Sequence, residues 1–187
     1  MATGLLRAQV GRVLGTSAEE VHLSRSCPQC GSSEHGRPVV LPTQASPSPF
    51  VSLSRAGAVV VVVVCDCGPV GVDIEWLDAP RFEGFDEVAL HPREVAPTIG
   101  ARATTWVRKE SLLKATGDGL NVDPRLIELS DPDQPPRLVQ WCAPDPPAPN
   151  VWMRDLEIPG CAACVTVLSD VAPRLTLRQE ARAGLPR

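Results

Sequence analysis

Tyrosine is missing from this chain, and the other aromatic residues are few: three phenylalanines and four tryptophans. Aliphatic side chains must therefore build the core. Lysine is nearly missing too. Of 18 basic residues only Lys109 and Lys114 are lysines, and 22 acidic residues bring the net charge to −4. That balance excludes a globally basic surface for nucleic acid. No apolar run approaches the roughly 20 residues of a membrane span. The start, MATGLLRAQVGR, carries Arg7 and no long apolar core, so no signal peptide is expected and the expected location is the cytoplasm. Seven cysteines, an odd number, argue against a disulfide framework there. No P-loop, G-x-G-x-x-G or Ser-His-Asp grouping occurs, and His22, His35 and His91 are scattered.

What remains is a chain of 187 residues, 43% hydrophobic and 21% charged, which suits one domain or two small packed subdomains. Apolar residues at 5, 6, 10, 13 and 14 predict a helix over 5–14. CPQCGSSEHGRP (27–38) reads as a turn-rich loop, and 41–49 holds too much Pro and Ser for regular structure. A short strand is predicted at 50–53. The run AVVVVVV (58–64) is continuous and β-branched, the pattern of a strand buried on both faces. GVDIEWL (71–77) predicts another strand, 83–90 a short helix, and ARATTWVRKESLLKA (101–115) a long one closed by Gly117. Short antiparallel strands are predicted at 127–129, 137–142 and 151–156, a buried strand at 161–169 and a last strand at 174–177. The fold class is α+β, mostly antiparallel with few helices.

The chemistry concentrates in two places. Asp73 and Glu75 are two apart on a strand, so both carboxylates leave one face. Paired carboxylates repel unless a cation joins them, and oxygen ligands suit Mg²⁺ or Ca²⁺. On the long helix, Trp106, Glu110 and Lys114 recur at four-residue spacing beside Leu113. Trp106 and Leu113 are expected to pack on the sheet, with Glu110 and Lys114 flanking them. Glu110 can then point back at Asp73 and Glu75, with Lys114 beside them. Such a cluster suits a Mg²⁺–diphosphate. In an arginine-rich chain, both lysines lie in this one helix.

GVDIE followed by WVRKESLLKATGDGL resembles the two signature motifs of the 4′-phosphopantetheinyl transferases. HGRP (35–38) is similar to that family's Gly-Lys-Pro turn, and SLSRAG (52–57) to its Ser-His-Ser-Gly segment. The resemblance spans roughly residues 5–177, in the family's order, and is to the larger single-chain class that serves peptide and polyketide synthetases. It implies two similar α/β halves in a pseudo-dimer: an N-terminal half over 1–70, on the coenzyme A 3′-phosphate side, and a C-terminal half over 71–187 with the metal site. The stretch that usually precedes the helix at 5–14 is lacking, so the N-terminal half is expected to be shortened.

The implied reaction is transfer of phosphopantetheine from coenzyme A to a carrier-protein serine, releasing adenosine 3′,5′-bisphosphate. The resemblance makes Asp73, Glu75 and Glu110 the Mg²⁺ ligands, Glu110 also the base, and Lys114 the diphosphate holder. Lys109, Arg37, Ser54 and Arg55 are implied phosphate contacts; Arg37 and Arg55 stand where the family has lysine and histidine. An acidic carrier protein is expected to dock on the segment from Trp76 to Thr98, using Arg81 and Arg93, with Phe82 and Phe85 as apolar anchors or as packing within the loop. A monomer is implied.

Two other readings compete. One is a non-catalytic homologue that binds coenzyme A or a carrier protein. The other is a zinc module pairing Cys27-x-x-Cys30 with Cys161-x-x-Cys164. Against the second, Cys161 and Cys164 are predicted to face opposite sides of a strand.

Overall fold

The computed structural model describes residues 2–26, 31–33, 36–42, 47–79, 83–148 and 150–180. Helix α1 spans Ala2–Leu14. Strands β1 (Leu23–Ser26) and β2 (Arg37–Val40) form one antiparallel pair. Strands β3 (Phe50–Ala56) and β4 (Val59–Cys65) form a second. Strand β5 (Val70–Trp76) comes next and is followed by helix α2 (Phe85–Ala89) and helix α3 (Ile99–Thr116). Strands β6 (Ile127–Leu129) and β7 (Leu138–Trp141) pair with each other. Strands β8 (Val151–Asp155) and β9 (Cys161–Leu168) join β5 in an antiparallel sheet of order β5-β9-β8. The architecture is α+β with few helices and small antiparallel sheets, as the patterning predicts. No helix among the described residues is long and apolar enough to cross a membrane.

Strand alternation sorts the side chains into layers. Val51, Leu53, Val62 and Val64 leave one face of the β3–β4 pair and pack on Leu6 and Val10 of α1. Val59, Val61 and Val63 leave the other face and pack on Val72, Ile74, Val165 and Val167 of the β5-β9-β8 sheet. The far face of that sheet holds Ala162 and Cys164 against Ala103 and Val107 of α3. The order is therefore α1, the β3–β4 pair, the three-stranded sheet, then α3. Aliphatic residues make nearly all of this core, as the scarcity of aromatics requires.

Some expectations need correction. The valine run does pack on both faces, yet every residue of β4 stays half-buried. The reason is its edge: among the described residues β4 pairs only with β3. Strand β2 takes over the end of the loop assigned to 27–38, and β1, just before that loop, is an element the patterning does not predict. Pro38 sits in β2 opposite Arg25, tolerable because the pair has only edges. Residues 174–177 form no ladder, although Leu175 rests on the core. Trp106 packs edge-on against Phe85, ring centroids 6.2 Å apart, rather than on the sheet.

Candidate active site

The register of β5 against β9 sets the first two acidic residues. Asp73 lies opposite Cys164 and Glu75 opposite Ala162, so both share the face that looks at α3. Gly71, one face-repeat earlier, lets the helix come in. A methyl group there would lie 2.0 Å from the Ser111 carbonyl oxygen and 2.5 Å from the Ala115 nitrogen. Helix α3 is fixed at both ends: Thr98 accepts a hydrogen bond from Ala101 N–H, and Gly117, at φ 88°, takes the left-handed cap. Its contact with Gly71 brings Glu110 and Lys114 over Asp73.

The two layers also meet edge to edge here. Ser52 and Ser54 leave the inner face of β3. The Ser52 hydroxyl accepts a hydrogen bond from Val72 N–H at 3.1 Å, and the Ser54 hydroxyl donates to Asp73 Oδ1 at 2.7 Å. Lys114 Nζ donates to the same Asp73 oxygen at 2.6 Å and to the Val72 carbonyl at 3.3 Å, with Ser54 Oγ 3.4 Å away. Asp73 is almost wholly buried, while the Lys114 side chain is 31% exposed.

The remaining oxygens are the informative ones. Asp73 Oδ2 and Glu110 Oε1 are both buried with no hydrogen-bond partner. A buried acceptor without a partner is costly. Burial raises the Glu110 carboxyl pKa above its ordinary value; Lys114 opposes this, and Asp73 and Glu75 add to it. Glu75 is raised by the same agents: burial first, then Asp73, with Lys114 opposing. Two orphaned anionic oxygens among three carboxylates fit a hard cation. The carboxylate oxygens are not drawn to within 4.8 Å of one another; Asp73 has instead taken the Lys114 ammonium as its counter-charge.

Other expected residues lie elsewhere. Lys109 is fully buried and donates to the Ala89 carbonyl at 2.7 Å, the Pro124 carbonyl at 2.9 Å and Glu94 Oε2 at 2.5 Å. Its three N–H donors are spent, so it is a clamp inside the fold and not a phosphate contact. Phe85 is buried against Trp106 and under Arg102, which removes it as a docking anchor. Arg93 pairs with Glu128 and Gln140. Arg81, Phe82, His35, Cys27 and Cys30 lie outside the described residues. Arg37 reaches from β2 to the end of α3, with Nη1 3.4 Å from where a Gly117 methyl would be. Arg55 is exposed on β3 beside Ser54.

Cys161 and Cys164 do take opposite faces. Cys161 joins the core between the sheets and Cys164 the layer under α3, so the two cannot share one metal. Sequence reasoning missed Ser52, Gly71 and Glu94. Ser52 carried a signal, since it shares the alternation of Ser54; Gly71 and Glu94 carried none without the third dimension. It also missed Arg108, fully buried and bonded to Asp155 and to the carbonyls of 130–132 and 134.

A family model described as the 4′-phosphopantetheinyl transferase superfamily matches residues 69–158, the stretch that holds Asp73, Glu75, Glu110 and Lys114. No curated protein shows significant similarity to the chain. Over residues 69–158 the match supports the 4′-phosphopantetheinyl transferase superfamily, whose members are transferases of the phosphopantetheinyl type.

Proposed function

We propose that this protein transfers 4′-phosphopantetheine from coenzyme A to a carrier-protein serine, with Mg²⁺ held by Asp73, Glu75 and Glu110. The observation that carries this reading is the pair of buried, partnerless oxygens, Asp73 Oδ2 and Glu110 Oε1, beside Lys114. When bound, the cation supplies positive charge that steadies the diphosphate. The chain's own residues do the rest. Glu110 Oε1, buried and without a hydrogen-bond partner, accepts the serine proton. The serine oxygen forms a bond to the phosphorus that bears pantetheine, and the bond from that phosphorus to the adenosine bisphosphate oxygen breaks. Lys114, part-exposed and already turned into the site, neutralises charge on the departing phosphate.

Residues 1–70 supply the cations for the 3′-phosphate: Arg37 at the end of α3 and Arg55 on β3. Ser54 fixes Asp73 rather than the phosphate itself. The carrier protein docks on residues 76–98, which keep Leu77, Val88 and Val95 exposed although Phe85 is not.

The test incubates an apo carrier protein with this chain, coenzyme A and Mg²⁺ and follows carrier mass. The expected result is a gain of one phosphopantetheine group, slowed at least about 100-fold in Glu110→Gln. Undiminished transfer by that variant would remove Glu110 from the base role. No transfer to any carrier, with coenzyme A still bound, would favour the binding-only reading.

A further inference from the structure

We propose that the turn between β4 and β5 is a binding site for a thiophilic divalent cation of the Zn²⁺ kind, independent of the transferase site. The ligands are Cys65 Sγ, Cys67 Sγ and a carboxylate oxygen of Asp66. Their ligand atoms all lie within 4.8 Å of one another, which no other set of three His, Cys, Asp or Glu residues achieves among those described. The two sulfurs are 3.4 Å apart. At a Zn–S distance of about 2.3 Å, tetrahedral coordination sets two thiolates roughly 3.8 Å apart, an outward adjustment of only ~0.4 Å. Closing the pair to a disulfide instead needs an inward movement of about 1.3 Å, to a bond of ~2.05 Å. The observed separation is thus closer to bridging by a metal than to a covalent bond.

The turn is held in place on both sides. Cys65 is still in the β3–β4 ladder, opposite Phe50. Three residues on, Gly68 lies flush against β9: a methyl group there would sit 1.9 Å from the Leu168 carbonyl oxygen. Leu168 N–H then donates to the Pro69 carbonyl at 2.9 Å. A loop pinned at both ends does not need to be ordered by the metal. Cys67 and Asp66 are exposed and Cys65 is half-buried, so an ion can enter from solvent and keep a fourth position for water. Binding replaces two thiol protons, which leave to solvent, with one dication. The ion would tie the last residue of β4 to the turn that follows it. Neither Asp73 nor Glu110 takes part, and nothing in the transfer chemistry uses these thiols.

The test strips the full chain of metal under reducing conditions, then titrates Zn²⁺ against a chromophoric chelator and Co²⁺ by absorbance. One equivalent of Zn²⁺ and a thiolate-to-cobalt charge-transfer band are expected in the unaltered chain and in Cys27→Ser/Cys30→Ser. Cys67→Ser, a change at an exposed side chain, is expected to weaken binding more than about tenfold, and Asp66→Asn to weaken it measurably. Circular dichroism matching the unaltered chain shows that each variant is folded. Zinc should also raise the melting temperature of the unaltered chain and not that of Cys67→Ser. Loss of the equivalent in Cys27→Ser/Cys30→Ser with retention in Cys67→Ser would overturn the assignment, as would a chain that binds no zinc once reduced.

Discussion

Replacing Gly71 by alanine tests how the site is put together, because it touches neither carboxylate nor lysine. The added methyl would stand 2.0 Å from the Ser111 carbonyl oxygen, 2.5 Å from the Ala115 nitrogen and 2.9 Å from Lys114 Cβ. Two of these three are backbone atoms, so no rotamer change relieves the clash. Ordinary contact is restored only if α3 retreats by roughly 1–1.5 Å. The Lys114–Asp73 hydrogen bond, 2.6 Å now, stretches by a comparable amount, and Glu110 moves with it. A displacement of ~1 Å costs about 100-fold in rate when positioning carries catalysis. Overpacking costs about 1–3 kcal/mol, or roughly 2–12 °C of melting temperature at this size. The expected result is therefore a folded protein with a slightly lower melting point and a much lower transfer rate. Gly100→Ala in the same helix is the control: its methyl meets only Leu77 Cδ2, at 3.9 Å. Alanine there should gain up to about 1 kcal/mol of helix propensity and leave transfer unchanged. Gly71→Ala with full transfer activity and an unchanged melting point would refute the close-approach argument.

Other outcomes follow from the same geometry. Lys114→Met leaves Asp73 buried beside Ser54 alone, and should abolish transfer while costing about 1–3 kcal/mol in thermal unfolding. Lys109→Met should act on stability, by about 3–5 kcal/mol in thermal melts, because it removes the cation from the buried Glu94 carboxylate; adding Glu94→Leu should not recover that loss, since it leaves the His91 and Leu129 N–H groups without their acceptor. Glu110 and Glu75 hold protons more tightly folded than unfolded, so their contribution is whole below the ordinary carboxyl pKa and fades as pH rises through the raised values. Metal-free protein should therefore lose melting temperature as pH rises through that window, Mg²⁺ should restore it, and Glu110→Gln should flatten the slope. Ser54→Ala removes one hydrogen bond to Asp73 and should cost about 1 kcal/mol, with a modest fall in rate.

Periodicity made much of this fold legible. The alternation of Asp73 and Glu75 and the four-residue spacing of Glu110 and Lys114 are local properties; in the fold Lys114 reaches Asp73, and Glu110 feels the charges of Lys114, Asp73 and Glu75. The exposed edge of β4 was not legible, because a valine run looks the same whether or not a neighbour pairs with it. Strands β1 and β2 were hidden by Pro38 and by their shortness. Lys109 misled for a different reason: adjacency to Glu110 says nothing about helix face, and one step of about 100° turns it from the site to the core. The anchors of the α3 approach, Gly71 and the buried Lys109–Glu94 pair, depend on which elements pack together, and no window of sequence contains that information.

The pairing of β5 with β9 has a bearing on biosynthesis. Every acidic and basic group of the site has been made once Lys114 is added, yet β5 has no ladder partner until residues 161–168 arrive. At translation rates of about 5–20 residues per second, that leaves some 3–10 s during which Val70, Val72 and Ile74 belong to a strand with nothing to pair against. The β3–β4 hairpin, complete by residue 65, can cover one side of that strand during the interval, because it packs on β5 through its inner valines. The N-terminal layer can then shield, in the nascent chain, the strand that carries Asp73 and Glu75.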